Sequence, residues 1–240
     1  MNSLIFIFLA IGPLIGGLIA LGSKSYKKNN LSVFLAFAGT YLLAITLINL
    51  VPEVFEEFDF YKGLLVLVGF FFQVFLERYS KGVEHGHILS TSQFKKKVVP
   101  AGIIISLSMH SFAEGFPLGT MLHQQSDKLL PLMAGITIHE APAAFALISI
   151  LKSGGIKRIT TKMVLVIYAL MAMTGAYTSF FLESAISTET FNYILAFVIG
   201  TFLHISTTIL FENSEYHRFT TQKLIGIALG LFVALVISLI

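Results

Sequence analysis

The fold is decided by a stretch in the middle of the chain, VPAGIIISLSMHSFAEGFPLGTM, which comprises residues 99–121. The stretch is long enough to cross the hydrocarbon layer of a bilayer, which is roughly 30 Å thick and needs about 20 helical residues. It nevertheless carries His110 and Glu114 near its centre. Polar and ionisable groups at that depth are costly, and they usually face a cavity, a partner or an ion path. The stretch therefore predicts a membrane-spanning helix with a polar function.

Similar apolar stretches along the chain predict an all-α integral membrane protein with eight transmembrane helices. Hydrophobic residues make up 55% of the 240 residues and charged residues 12%, which excludes an ordinary soluble domain. The stretches are continuously apolar and do not alternate as the strands of a membrane β-barrel do. Because helix and short loop fill nearly the whole chain, we expect a single domain over residues 1–240. The predicted spans are about 2–22, 31–51, 61–79, 99–121, 129–151, 161–183, 190–211 and 222–240.

The basic residues predict how the spans are oriented. Lysine and arginine concentrate after spans 1, 3, 5 and 7, at Lys24, Lys27, Lys28, Arg78, Lys81, Lys95, Lys96, Lys97, Lys152, Lys157, Arg158, Lys162, Arg218 and Lys223. The opposite side carries only Lys62 and Lys128 among several acidic residues. By the positive-inside rule the first side is cytoplasmic, so both termini should be extracellular or periplasmic. The net charge of +3 follows from this topology, and no nucleic-acid partner is expected.

Spans 4 and 5 carry histidine and glutamate at the same predicted depth. His110 lies about 16 Å from the inner end of span 4, and His139 lies about 15 Å from the outer end of span 5. His110 and Glu114 are four residues apart, so they project from one face of a helix. Imidazole and carboxylate suit zinc or another first-row divalent ion. The pattern predicts a shared metal site near the midplane; the alternative is a hydrogen-bonded packing histidine.

Each of the two histidines is followed by further polar or helix-breaking residues. Ser111 and Glu140 point about 100° away from the preceding histidines round their helices, so they could form a second, adjacent site. Pro117 and Pro142 each remove a hydrogen bond from a carbonyl four residues earlier. Such carbonyls at membrane depth are tolerated where they line an ion-filled or wet cavity. A simple kink is the equally good alternative for both prolines.

These segments resemble the ZIP (Zrt/Irt-like protein) family of divalent-metal transporters. The resemblance rests on HSFAEG at 110–115 in span 4 and HEAP at 139–142 in span 5. Supporting stretches are LVPE at 50–53 and AFVIGTFLH at 196–204. The resemblance covers the whole chain and implies a 3+2+3 arrangement of helices with an inverted repeat. It further implies a multi-pass homodimer in the cell (inner or plasma) membrane, with the lipid bilayer and divalent metal ions as partners.

A short internal similarity agrees with an inverted repeat. The sequence GTYL at 39–42 in span 2 recurs as GTFL at 200–203 in span 7. These two spans run in opposite directions, as an inverted repeat around a midplane site requires.

The resemblance also implies roles for individual residues. His110, Glu114 and His139 would form the primary metal site, and Ser111 and Glu140 the secondary one. The chain departs from the family pattern at Ala143, where some members have a bridging glutamate, and in span 6, whose middle has no ionisable residue. Both departures favour one metal ion over two.

Six residues outside the two sites are candidates for an ion path. Within the longest cytoplasmic loop (about 80–98), a short histidine cluster could collect ions, while a merely solvated loop is the alternative. A histidine in the inner half of span 7 could form an exit step with Glu212, while packing is the alternative. Residues near the outer ends of spans 2 and 4 could attract cations. The six are His85, His87, His204, Asn49, Glu53 and His123.

The predicted function is transport of a divalent cation toward the cytoplasm, most simply Zn²⁺, with Fe²⁺, Mn²⁺ and Cd²⁺ as further candidates. No enzymatic activity and no cofactor are expected. One alternative is an intramembrane zinc-dependent enzyme, because His139-Glu140 begins like the zinc-protease motif His-Glu-x-x-His. However, position 143 is alanine where the second histidine must be. The other alternative is a metal-sensing membrane protein without flux.

Overall fold

The computed structural model describes residues 3–23, 28–57, 59–83, 99–211 and 220–239. No strand occurs within them, so the predicted all-α class is confirmed. Two 3₁₀ segments, Ser3–Ile7 and Glu183–Ala185, and one π-helical turn, Thr46–Leu50, accompany the α-helices. The α-helices are α1 (Phe8–Gly22), α2 (Lys28–Ile45), α3 (Val51–Val54), α4 (Phe60–Ser80), α5 (Ala101–His123), α6 (Leu129–Ser153), α7 (Arg158–Ala169), α8 (Met171–Leu182), α9 (Thr188–Phe211) and α10 (Thr221–Ser238).

Most of these helices are long and apolar enough to cross a bilayer. In the described part of the chain, seven segments meet that description by length and composition: Ser3–Gly22, Val33–Val54, Phe60–Ser80, Leu129–Ser153, Arg158–Ala185, Thr188–Phe211 and Thr221–Ser238. Helix α5, the predicted span 4, has 23 residues and is long enough to be the eighth. Its histidines, its serines and Glu114 lower its mean hydropathy. The chain thus has seven or eight membrane-spanning candidates, as predicted.

Two predicted spans differ in detail from the observed helices. The predicted span 2 ends at residue 51, whereas helix continues through the π-helical turn and α3 to Val54. Pro52 has no N–H to donate to the preceding turn, and that turn is the π-helical one, where the regular hydrogen-bond pattern of the helix is already interrupted. The predicted span 6 consists of two helices, α7 and α8, which meet at Leu170.

Four helix pairs make the closest contacts: α1 with α6, α5 with α8, α4 with α9, and α2 with α10. Glycine allows the backbones to approach in every pair, as small residues do between helices in membranes. A Cβ atom added to one glycine of each pair would lie 1.9–2.4 Å from a carbonyl oxygen of the opposite helix: Gly16 against Ala141, Gly115 against Ala172, Gly69 against Phe197, and Gly230 against Phe37.

The pairs join into two groups of helices. Contacts of α5 with α6 and of α7 with α1 and α6 unite α1, α5, α6, α7 and α8, which we name the α5–α6 group. Contacts of α2 with α9 unite α2, α4, α9 and α10, which we name the α4–α9 group. The two groups meet where α2 and α10 contact α6 and where α4 and α9 contact α5. We call this contact the group interface.

Candidate metal centre

Three buried side chains converge where α5 and α6 pass each other. His110 and Glu114 come from α5 and His139 comes from α6, and one ligand atom of each lies within 4.8 Å of the other two. The carboxylate of Glu114 lies between the imidazoles, with Oε1 3.2 Å from Nε2 of His110 and Oε2 2.8 Å from Nε2 of His139. None of the three is more than 2% exposed. The structure therefore brings together the residues that were predicted for the primary site.

The local sequence explains this convergence. Spacing of four residues places His110 and Glu114 on one face of α5, as predicted. The opposite side of α5 packs closely on α8 because Gly115 has no Cβ. The hydroxyl of Ser106 donates a 2.6 Å hydrogen bond to the carbonyl oxygen of Leu76 and so ties α5 to α4 one turn below the site. The site is thus built on helices that are packed on both sides.

The donor set suits a divalent cation. Two neutral imidazole nitrogens and one carboxylate are typical zinc ligands, and three protein ligands leave a fourth position open. The two imidazole rings are nearly perpendicular, with centroids 5.5 Å apart and an interplanar angle of 87°. In the part of the chain that the structure describes, these three residues are the one group of histidine or acidic side chains whose ligand atoms lie close enough together to bind one metal ion. The role of each residue as a ligand stays a prediction.

Ser111 and Glu140 are also buried, with 1% and 0% exposure, but they lie outside the three-residue cluster. Ser111 and Tyr168 stand beside the carboxylate of Glu140. Tyr168 comes from α7 and is itself fully buried. The sequence analysis missed it, because it searched span 6 for ionisable residues of acidic type. The predicted secondary site therefore has one carboxylate and neighbouring hydroxyl groups.

Helix α4 contributes two more polar residues that the sequence analysis missed. Gln73 is fully buried, and its Oε1 lies 3.2 Å from Nδ1 of His110. Glu77, one turn further along, has a carboxylate oxygen 3.2 Å from Nε2 of His204 on α9. His204 was predicted to pair with Glu212, which lies outside the described residues. The four-residue spacing of Gln73 and Glu77 within an apolar span was the signal that could have revealed both.

The other predicted path residues have individual surroundings. The Asn49 side chain accepts a 2.7 Å hydrogen bond from the hydroxyl of Ser238, and its role in an ion path stays a prediction. Nε2 of His123 lies 3.1 Å from the carbonyl oxygen of Phe180, and the two rings stack at 4.3 Å. One carboxylate oxygen of Glu53 is buried without a hydrogen bond from any described residue. His85 and His87 lie outside the described residues.

The fold and the site define a multi-span membrane protein with a buried cluster of side chains that could bind a metal ion. Comparison with known proteins agrees with this class. Residues 89–238 match the family model described as ZIP Zinc transporter. Since this match covers more than half of the chain, the chain belongs to the ZIP family. The resemblance inferred from the motifs of spans 4 and 5 is thereby confirmed. Membership of a transporter family also confirms the prediction that the chain is not an enzyme.

Individual relatives carry zinc transport in their names. The chain is 30% identical over 155 residues to zinc transporter ZIP9 of Micropogonias undulatus, a match covering 60% of this chain and 49% of that protein. It is 28% identical over 155 residues to zinc transporter ZIP9-A of Xenopus laevis, covering 61% and 50%. It is 26% identical over 179 residues to zinc transporter ZIP9-B of Xenopus laevis, covering 71% and 58%. The chain spans about half the length of the curated relatives it matches.

Proposed function

We propose that this chain transports Zn²⁺ across the membrane toward the cytoplasm through the site formed by His110, Glu114 and His139. The observation that carries the proposal is the convergence of three buried ligand atoms within 4.8 Å on two adjacent helices of a membrane protein. Membership of the ZIP family supports the same conclusion. The His and carboxylate donors also suit Fe²⁺, Mn²⁺ and Cd²⁺, so we propose these ions as competitors.

The division into two helix groups supports a mechanism for transport. All three proposed ligands belong to the α5–α6 group, so they would move as one body if that group shifted against the α4–α9 group. The ligands are at most 2% exposed, so an ion in the site is shielded from both sides of the membrane. Movement of one group against the other would open the site to each side in turn.

The helix pairs support the 3+2+3 arrangement with an inverted repeat. In such a repeat, spans 1, 2 and 3 correspond to spans 6, 7 and 8, and span 4 corresponds to span 5. The pair of α1 (span 1) with α6 (span 5) then corresponds to the pair of α8 (span 6) with α5 (span 4). Likewise, the pair of α4 (span 3) with α9 (span 7) corresponds to the pair of α10 (span 8) with α2 (span 2). Each close pair therefore has a counterpart, as two related halves of opposite orientation would require. We propose with this arrangement that both termini face outward and that the chain forms a homodimer in the cell membrane.

We further propose that each chain holds one tightly bound ion in the primary site. Ala143, at the position where some family members have a bridging glutamate, is fully buried among apolar side chains. Glu140 has the hydroxyl groups of Ser111 and Tyr168 beside it, and its other charged or titratable neighbours, His139 and Glu114, already belong to the primary site. Ser111 and Glu140 would then form a weaker secondary site.

Zinc flux in proteoliposomes tests the proposal. We expect saturable Zn²⁺ entry with the wild-type protein and at least a hundredfold loss in His110→Ala, Glu114→Ala and His139→Ala. Met109→Ala is the matched control, because Met109 lies next to the site in sequence but is 47% exposed on the outer face of α5. Absence of flux in the wild type, despite measurable Zn²⁺ binding, would favour a metal sensor and refute transport. Unchanged flux in all three alanine variants would refute the site.

A calorimetric titration tests the number of ions. We expect one tight Zn²⁺ per chain, with Glu140→Gln binding it nearly as well as the wild type and Glu114→Gln not binding it. Two tight ions per wild-type chain would contradict the single-site proposal.

A further inference from the structure

Gln73 reaches the three-residue cluster from the other helix group, with its Oε1 3.2 Å from Nδ1 of His110. It lies on α4, whereas the three proposed ligands lie on α5 and α6. From this geometry we infer that Gln73 is a positioning residue: it holds His110 in the orientation and protonation form that bind the metal. The inference rests on the proposed function and concerns the regulation of the same site.

The two nitrogens of His110 have different neighbours. Nε2 faces the carboxylate of Glu114 at 3.2 Å, on the side where an ion would be bound. A nitrogen that binds a metal must present its lone pair, so the remaining proton of a neutral imidazole then lies on Nδ1. The Oε1 atom of Gln73, 3.2 Å from Nδ1, is placed to accept a hydrogen bond from that N–H group. A hydrogen bond of this kind on the second nitrogen fixes the ring and the tautomer of a metal-bound histidine.

The burial of Gln73 also argues for this role. The side chain is fully buried, and its Nε2 has no hydrogen-bond partner among the described residues. A buried amide with an unused donor is unfavourable, so a leucine would serve the packing of α4 better. The contact with His110 is the observation that explains an amide at this position.

A neutral acceptor fits a site that must release its ion. A carboxylate in place of the amide would add a negative charge beside the ligand and strengthen its hold on the cation. The amide fixes the ring without adding charge. Because the contact crosses the group interface, movement of the α5–α6 group would break it, and His110 would lose its support in the new arrangement. The affinity of the site would thus fall with the movement that releases the ion.

The test compares three variants of the full-length protein, in Zn²⁺ binding by chelator competition and in proteoliposome flux. Gln73→Leu removes the acceptor at similar volume, and we expect it to weaken Zn²⁺ binding about 10- to 100-fold. Gln73→Glu keeps an acceptor, so we expect wild-type or tighter binding but a lower maximal flux. Ser106→Ala is the matched control, since it removes a hydrogen bond between α4 and α5 that does not involve His110. We expect its Zn²⁺ affinity to stay within about twofold of the wild type.

The outcomes separate the inference from the proposed function. Wild-type affinity in Gln73→Leu, or an equal loss of affinity in Ser106→Ala, would overturn the positioning role while leaving the transporter intact. Failure of the wild type itself to bind and carry Zn²⁺ would refute the proposed function instead.

A second measurement is made on the wild-type protein and guards against a Gln73 variant that does not fold. Histidine-selective ¹⁵N spectra of the Zn²⁺-loaded protein, with the His110 signals identified by their absence in His110→Ala, report which ring nitrogen binds the ion. We expect ligation through Nε2 and a proton on Nδ1. Ligation through Nδ1 would overturn the inference.

Discussion

The tight contacts between glycine and a neighbouring backbone lie within the two groups of helices, whereas the group interface combines apolar side chains with a few hydrogen bonds. Within the α5–α6 group, a Cβ on Gly115 would lie 1.9 Å from the carbonyl oxygen of Ala172. At the group interface, by contrast, the hydroxyl of Tyr41 donates a 3.0 Å hydrogen bond to the carbonyl oxygen of Pro131. Close backbone contact resists rearrangement, while a few hydrogen bonds can be exchanged. We therefore expect each group to be the more rigid part and the group interface to be where the helices rearrange more easily.

The largest expected effect comes from breaking a backbone contact within a group. In Gly16→Ala the new Cβ would lie 1.9 Å from the carbonyl oxygen of Ala141, so α1 must move away from α6. We expect a loss of about 3 kcal/mol or more in the free energy of unfolding, the upper end for overpacked positions. Thermal unfolding of the purified protein in detergent measures it. Gly63→Ala is the control, since a Cβ there has no atom within 4 Å. Equal stability of the two variants would contradict the rigid-group interpretation.

A smaller loss is expected from removing a helix cap inside the same group. Nζ of Lys152, at the end of α6, lies 3.2 Å from the carbonyl oxygens of both Ala20 and Leu21 at the end of α1. Lys152→Met removes these charge-assisted bonds, and we expect about 1 kcal/mol of lost stability at this exposed position. Lys162→Met, which changes another exposed lysine, should leave the unfolding temperature unchanged. A similar decrease of the unfolding temperature in both variants would mean that stability depends on the net charge and not on the hydrogen bonds of Lys152.

The smallest change in stability, but the most informative one, comes from a pair of tyrosines. Tyr41→Phe removes the hydrogen bond to Pro131 across the group interface, and Tyr177→Phe removes a 3.2 Å hydrogen bond to the carbonyl oxygen of Ser3 within one group. Each should lower stability by about 1 kcal/mol or less. Only Tyr41→Phe should alter Zn²⁺ flux, raising it by up to about fivefold if the bond holds one arrangement of the groups. Equal flux in the two variants would show that the interface does not limit transport.

The all-α class, with its seven or eight candidate spans, and the convergence of three of the predicted ligands were predictable because both depend on local patterns. Apolar runs of about 20 residues reveal a span without any knowledge of its neighbours. Spacing along a helix and depth from its end were enough to bring His110, Glu114 and His139 together. The contact between Gln73 and His110 was not predictable, because it depends on how α4 lies against α5 across 37 positions of sequence. Which glycine lies against which carbonyl oxygen was not predictable either, because that also depends on how the helices pack.

The charge of the three-residue cluster has a consequence for energetics. With Glu114 ionised and both imidazoles neutral, the empty cluster carries one negative charge, and a Zn²⁺ ion converts this to one positive charge. A membrane potential acts on such a charge with about 2.3 kcal/mol per 100 mV for a full crossing. A voltage that is negative inside would therefore pull the loaded site inward and push the empty site outward. If the chain transports Zn²⁺ through this site as proposed, a single carboxylate between two histidines would allow the resting voltage of a cell to drive both halves of the transport cycle.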